Sequence, residues 1–150
     1  EGEWLEYWDN GQLYSRKKYI GGKYNGEYFS YYESGQLNVN VNYKDGKKNG
    51  LLLDYYENGK LNWKENFIND IIDGESLIYY ETGQLWYKTN FKEGKRHGIY
   101  LKYNSNGQLI EKKIYKAGNI DGEWLRYFDD GSVIEKKIYK NGKLIETIKP

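Results

Sequence analysis

The chain has 150 residues, 38% hydrophobic and 30% charged, with 23 basic against 22 acidic side chains and a net charge of +1. That balance leaves no global field to draw in nucleic acid, and no apolar run approaches the ~20 residues that a membrane-spanning helix needs. The lack of cysteine excludes a disulfide framework, a thiolate nucleophile and any cysteine-ligated metal, while leaving the compartment open.

Bulk comes instead from 18 tyrosines and 5 tryptophans, amphipathic rings that tolerate a half-wet surface and suit a thin sheet better than a ball. The first unit opens at Gly2, and glycine returns at Gly26, Gly50, Gly74, Gly98 and Gly122. A second series follows nine residues behind the first: Gly11, Gly35, Gly59, Gly83, Gly107 and Gly131. Between the two runs an unbroken row of Tyr7, Tyr31, Tyr55, Tyr79, Tyr103 and Tyr127. A fixed period of 24 residues marks a repeat array whose units bury apolar surface by stacking on their neighbours.

Each unit reads as a hairpin, two β-prone runs parted by turn residues. In the first turn a polar pair precedes glycine, as in Asp9-Asn10-Gly11 and Glu57-Asn58-Gly59, which predicts a three-residue loop ending in a left-handed residue. The second turn, as in Lys44-Asp45-Gly46 and Lys140-Asn141-Gly142, is read with the same recipe, and Asp70 in place of glycine predicts a different turn there. Counting from such loops sets Tyr31 opposite Leu37, Phe29 opposite Val39, and Leu37 opposite Leu53 of the next unit. One face then gathers Leu5, Phe29, Leu53, Leu77, Leu101 and Leu125, the tyrosine row, the Leu13 to Val133 series and the Tyr19 to Tyr139 series. The other face is expected to be wet, with Trp4 across from Arg16, Tyr100 from Lys112 and Trp124 from Lys136.

The fold predicted is all-β: an elongated antiparallel meander of about twelve strands built from six 24-residue β-hairpin repeats, with a short C-terminal capping strand. The chain 1–150 is one repeat domain, divided as 2–25, 26–49, 50–73, 74–97, 98–121 and 122–145, with a polar cap over 143–150. Glu1 opens the chain in phase with a repeat and without methionine, which we read as upstream sequence removed.

Catalytic parts are scarce. His97, the one histidine, replaces the Asn or Asp that precedes glycine in other units, a structural turn position, so zinc and Ser-His or Cys-His chemistry lack their components. The acidic residues before the turn glycines supply too few oxygens for calcium. We expect no enzyme, cofactor or metal. Recurring positions specify the fold, so a partner should be read by positions that differ between copies, Trp4, Trp8, Trp63, Trp86, Trp124 and Phe128, with Tyr28, Tyr32 and Tyr100 as further candidates on the variable aromatic face. Lysines after the second turn, among them Lys23, Lys47, Lys95 and Lys143, read as a solvated edge that discourages strand addition.

The unit Gly-x4-Tyr-aromatic-acidic-x-Gly-Gln-Leu, seen at Tyr31 to Leu37, Tyr55 to Leu61 and Tyr79 to Leu85, resembles the MORN-repeat variant of bacteria, including the YwqK-like group classed as antitoxins. The resemblance spans nearly the whole chain and implies stacked hairpins. It also implies a non-catalytic scaffold for a protein partner, a toxin in the most specific version. It transfers no functional residue, because the motif consists of scaffold positions. The alternative is a secreted or surface-attached module that binds carbohydrate or anionic lipid headgroups through the aromatic and lysine face.

Overall fold

A computed structural model describes residues 2–149. The strands are β1 (Gly2–Tyr7), β2 (Leu13–Ile20), β3 (Lys23–Tyr24), β4 (Gly26–Tyr31), β5 (Leu37–Lys44), β6 (Lys47–Tyr55), β7 (Leu61–Ile68) and β8 (Ile71–Ile72), followed by β9 (Gly74–Tyr79), β10 (Leu85–Lys92), β11 (Lys95–Arg96), β12 (Gly98–Tyr103), β13 (Leu109–Lys116), β14 (Asn119–Tyr127), β15 (Val133–Lys140) and β16 (Lys143–Ile148). They form one antiparallel sheet in chain order. The short β3, β8 and β11 pair with β2, β7 and β10 and share a lane with the strand that follows them. In units three and six that lane is continuous, as β6 and β14. The sixteen segments therefore occupy thirteen lanes, the twelve of six hairpins plus β16. No helix among the described residues is long and apolar enough to cross a membrane.

The first turn has the expected form. Gly35 donates its N–H to the Tyr32 carbonyl at 2.8 Å, Tyr32 donates to Gln36, and Gly35 takes φ +85°. A left-handed residue at the end of a three-residue loop is the geometry that glycine enters without strain.

Just beyond this loop the expected register fails. Tyr31 does pair with Leu37, but the next pair is Ser30 with Val39, so Asn38 is an extra residue, a β-bulge. The same shift follows Tyr7, Tyr55, Tyr79, Tyr103 and Tyr127. Phe29 therefore faces Asn40, not Val39, and Leu53 faces Asn40, not Leu37. Because side chains alternate with period two, one inserted residue turns the rest of the strand over. The Tyr19 to Tyr139 series accordingly lies on the face opposite the leucine row, sharing it with Trp4, Tyr28, Tyr100 and Trp124.

That face, expected to be the wet one, carries the core. Val41 and Leu52 are its buried apolar residues, joined by buried Ser15, Ser30, Asp54, Ser76 and Thr89. Val41 pairs with Tyr28 and shares β5 with Tyr43, and those two rings stand 6.3 Å apart in an edge contact. Short side chains are covered here by the rings of neighbouring rows, which is how a single layer acquires an interior. The leucine face is half-exposed throughout, with Leu5 the most open member of its row.

The second turn is shorter than expected. Lys44 pairs with Lys47, leaving Asp45 (φ +53°) and Gly46 (φ +83°) as a two-residue turn with both residues left-handed. Nor does the turn at Asp70 differ: Asn69 and Asp70 take φ +51° and +68°, a conformation that short Asx side chains tolerate. The Asp70 carboxylate accepts the Lys48 N–H at 2.8 Å while its own N–H donates to the Lys48 carbonyl. β16 pairs with β15 as the last strand of the sheet, the short C-terminal strand expected there, and it exposes Leu144, Ile145 and Ile148 beside its polar residues; Pro150 lies outside the described residues.

Candidate functional site

In copies one to four the aromatic residue that follows the row tyrosine reaches across to the next copy. Trp8 Nε1 donates to the Tyr31 carbonyl (3.1 Å), and the hydroxyls of Tyr32, Tyr56 and Tyr80 donate to the carbonyls of Tyr55, Tyr79 and Tyr103 (2.7, 2.7 and 3.0 Å). Burial pushes the Tyr32 and Tyr56 hydroxyls up from their ordinary value. Trp8 and Tyr32, taken from sequence as partner contacts, are thus ties between copies. Trp86 is held between Tyr80 and Tyr87, with ring centroids 5.1 and 4.4 Å away. Tyr28 packs on Tyr24 and Tyr43, and Trp124 donates its indole N–H to Glu111 at 2.7 Å. Of the nine candidates only Trp4, Trp63 and Phe128 are exposed, and they stand in copies one, three and six.

Cations lie against these rings, though not at the expected partners. The bulge pairs Trp4 with Lys17, Tyr100 with Lys113 and Trp124 with Lys137. Lys113 Nζ is 5.3 Å from the Tyr100 ring and 5.2 Å from the Trp124 ring, and Lys137 Nζ is 4.6 Å from Trp124. Each lysine also meets a carboxylate: Lys17 with Glu6, Lys113 with Glu111 and Lys137 with Glu135, at 2.7, 3.1 and 2.9 Å. Along this row, then, rings and lysines satisfy one another.

In the middle of the sheet the alternation breaks. Where other copies carry Trp4, Tyr28, Leu52, Tyr100 and Trp124, the fourth carries Ser76, and its neighbours across the strands are Glu65 and Thr89. The missing bulk leaves a pocket of about 320 Å³ lined by Glu65, Ser76, Ile78, Tyr87, Thr89, Phe91, Arg96 and Tyr100. Ser76 donates its hydroxyl to Glu65 Oε1 at 3.0 Å. Burial raises the Tyr100 hydroxyl well above its ordinary value. Of this set only Tyr100 was singled out from sequence. The signal for the rest was one small residue in a row of large ones.

A second irregularity lies at the strand ends. First turns line one long edge and carry Asp9, Glu33, Glu57, Glu81, Asp129 and Asp130 against Lys60. Second turns line the other and carry Lys23, Lys44, Lys47, Lys48, Lys92, Lys95, Arg96, Lys116, Lys140 and Lys143 against Asp45, Asp70, Asp73, Glu93 and Asp121. The near-zero net charge thus conceals an acidic edge and a basic one. Copy three breaks the basic edge: Ile68 and Ile71, paired across its turn, are 50% and 51% exposed where the turns on either side present lysine pairs. His97 keeps a backbone role, donating its N–H to Asn90 as Asn25 and Asp73 donate to Lys18 and Asn66. No cluster of three or more metal-ligating side chains occurs among the described residues.

No curated protein matches the chain. The family model described as MORN repeat variant matches residues 1–20, 24–45, 48–69, 72–93, 96–117 and 120–141. From the second segment on, each match begins two residues ahead of a unit glycine, in phase with the hairpins. With six matched segments covering most of its length, the chain belongs to the MORN repeat variant family.

Proposed function

We propose that the chain is a non-catalytic scaffold that holds another protein against the long edge built by its second turns. The observation that carries this reading is the pair Ile68 and Ile71, an exposed apolar spot rimmed by Lys44, Lys47, Lys92 and Lys95. An apolar centre inside a charged rim is the anatomy of a protein contact, and it fits a partner with an apolar residue set among acidic ones. An antitoxin or immunity role, in which such binding silences the partner, is the specific form that the YwqK-like resemblance implies.

The test is capture from a lysate of the encoding organism, followed by affinity measurement with the purified partner. Each isoleucine is already half in water, so covering the remainder is worth about 1–1.5 kcal/mol per side chain. Replacing both, Ile68→Ser with Ile71→Ser, should weaken binding by roughly 30- to 150-fold. Affinity should also fall as salt rises, because the lysine rim is exposed. A partner bound equally well by the double variant, or no captured protein, removes the reading.

A further inference from the structure

We infer that the pocket over Ser76 is a binding site for a neutral pyranose sugar. The site includes neither Ile68 nor Ile71 and shares only Arg96 with the second-turn edge. It lies on the buried face, where the ring-and-lysine row is interrupted by Glu65, Ser76 and Thr89.

Charge decides the class of guest. A cation would meet Arg96 on the pocket wall, and the Tyr100 ring is already approached by two cations, Arg96 Cζ at 5.8 Å and Lys113 Nζ at 5.3 Å. An anion would meet the Glu65 carboxylate. A wholly apolar guest would cover the half-buried Glu65 carboxylate without replacing the water it loses, a penalty that burial of polar groups always carries. What remains is a neutral guest with one apolar face and several groups that both donate and accept hydrogen bonds.

A pyranose has that construction. Its C–H face can lie against the rings of Tyr87 and Tyr100, which stand 5.8 Å apart, and its hydroxyls can reach the Glu65 carboxylate and the Arg96 guanidinium. Glu65 is held by Ser76 through one oxygen, so the carboxylate is fixed in place before a guest arrives. The volume of about 320 Å³ lies at the low end of small-molecule sites, suited to one ring with its substituents.

The experiment titrates the intact chain with methyl pyranosides of glucose, galactose, mannose and N-acetylglucosamine, followed by backbone amide NMR. At least one should bind with a dissociation constant on the order of 1 mM and shift the amides of Ser76, Thr89, Phe91 and Arg96. Ser76→Tyr, which restores the ring found at Tyr28 and Tyr100, should abolish those shifts while cooperative melting persists. If that variant does not fold, Ser76→Leu, copying Leu52, takes its place. Ser76→Tyr should leave protein capture unchanged, which separates this site from the edge. Pyranosides that shift none of these amides overturn the assignment. So does binding unchanged by filling the pocket, or shifts produced there by lysine methyl ester or inorganic phosphate instead of a sugar.

Discussion

Removing the three tyrosine hydroxyls that tie the copies, Tyr32→Phe, Tyr56→Phe and Tyr80→Phe together, isolates the inter-copy bond while keeping every ring. Each hydroxyl donates to a backbone carbonyl 23 residues on, at 2.7, 2.7 and 3.0 Å. A net hydrogen bond of this kind contributes about 1 kcal/mol, and a little more when the orphaned carbonyl is partly shielded. Successive ties lie two strands apart, about 9.6 Å, far enough for their effects to add. The triple variant should therefore lose about 3–4 kcal/mol, a large part of the 5–15 kcal/mol typical of a domain. For a chain of this length that lowers the melting temperature by roughly 10 °C. Thermal and urea melts followed by tyrosine circular dichroism measure it. A triple variant melting within about 1 °C of the parent would mean that the ladder contributes nothing to stability.

Ala117 sits at φ +50° in the first position of a two-residue turn, so Ala117→Gly should stabilise by about 0.5–1 kcal/mol in a urea melt. Asp70→Ala loses both a left-handed tolerance and the bond from the Lys48 N–H, and should cost about 1–2 kcal/mol by the same assay. Burial raises the hydroxyls of Tyr28, Tyr43, Tyr56, Tyr79 and Tyr127 above their ordinary 10.0. The protonated form is thus favoured in the fold, so this stability is intact below pH 10 and drains away as pH rises through the folded values. Melting temperature measured from pH 8 to 11 should fall most steeply above pH 10. Tyr79→Ala, whose ring is half-buried, should cost about 2 kcal/mol, less than a fully buried ring would.

The repeat length, the hairpins and the first turn were legible because glycine reports backbone geometry directly: Gly11 and its successors stand where φ must be positive. The bulge was not legible. Its extra residue is Tyr14, Asn38, Asn62, Trp86, Ile110 or Ile134, a set with no shared chemistry and no glycine to mark it. A single missed residue per copy then placed the Tyr19 series on the wrong face and each aromatic one residue away from its partner. The two-residue second turn did carry a signal, Asp45-Gly46 and Asn141-Gly142, which the three-residue recipe of the first turn obscured.

The candidate sites follow the same division. Trp8 and Tyr32 looked variable because their side chains differ, Trp in one copy and Tyr in the next, yet indole N–H and phenol O–H serve the same carbonyl. Chemical variety at a position is therefore compatible with one structural duty. Ser76 and the Ile68 and Ile71 pair are departures of another kind: a large side chain becomes small, and charged ones become apolar. Such changes alter shape or charge at the surface, and only the correct register shows that Ser76 opens a pocket on the packed face.

The most direct measurement of the claim that recurring positions hold the fold while irregular ones meet the partner is an amide shift map of the chain titrated with its captured protein. Shifts should concentrate at the tip of copy three and its lysine neighbours, residues 44–48, 68–72 and 92–96. Shifts spread evenly over all six second turns, or centred on Trp4 and Phe128, would contradict it.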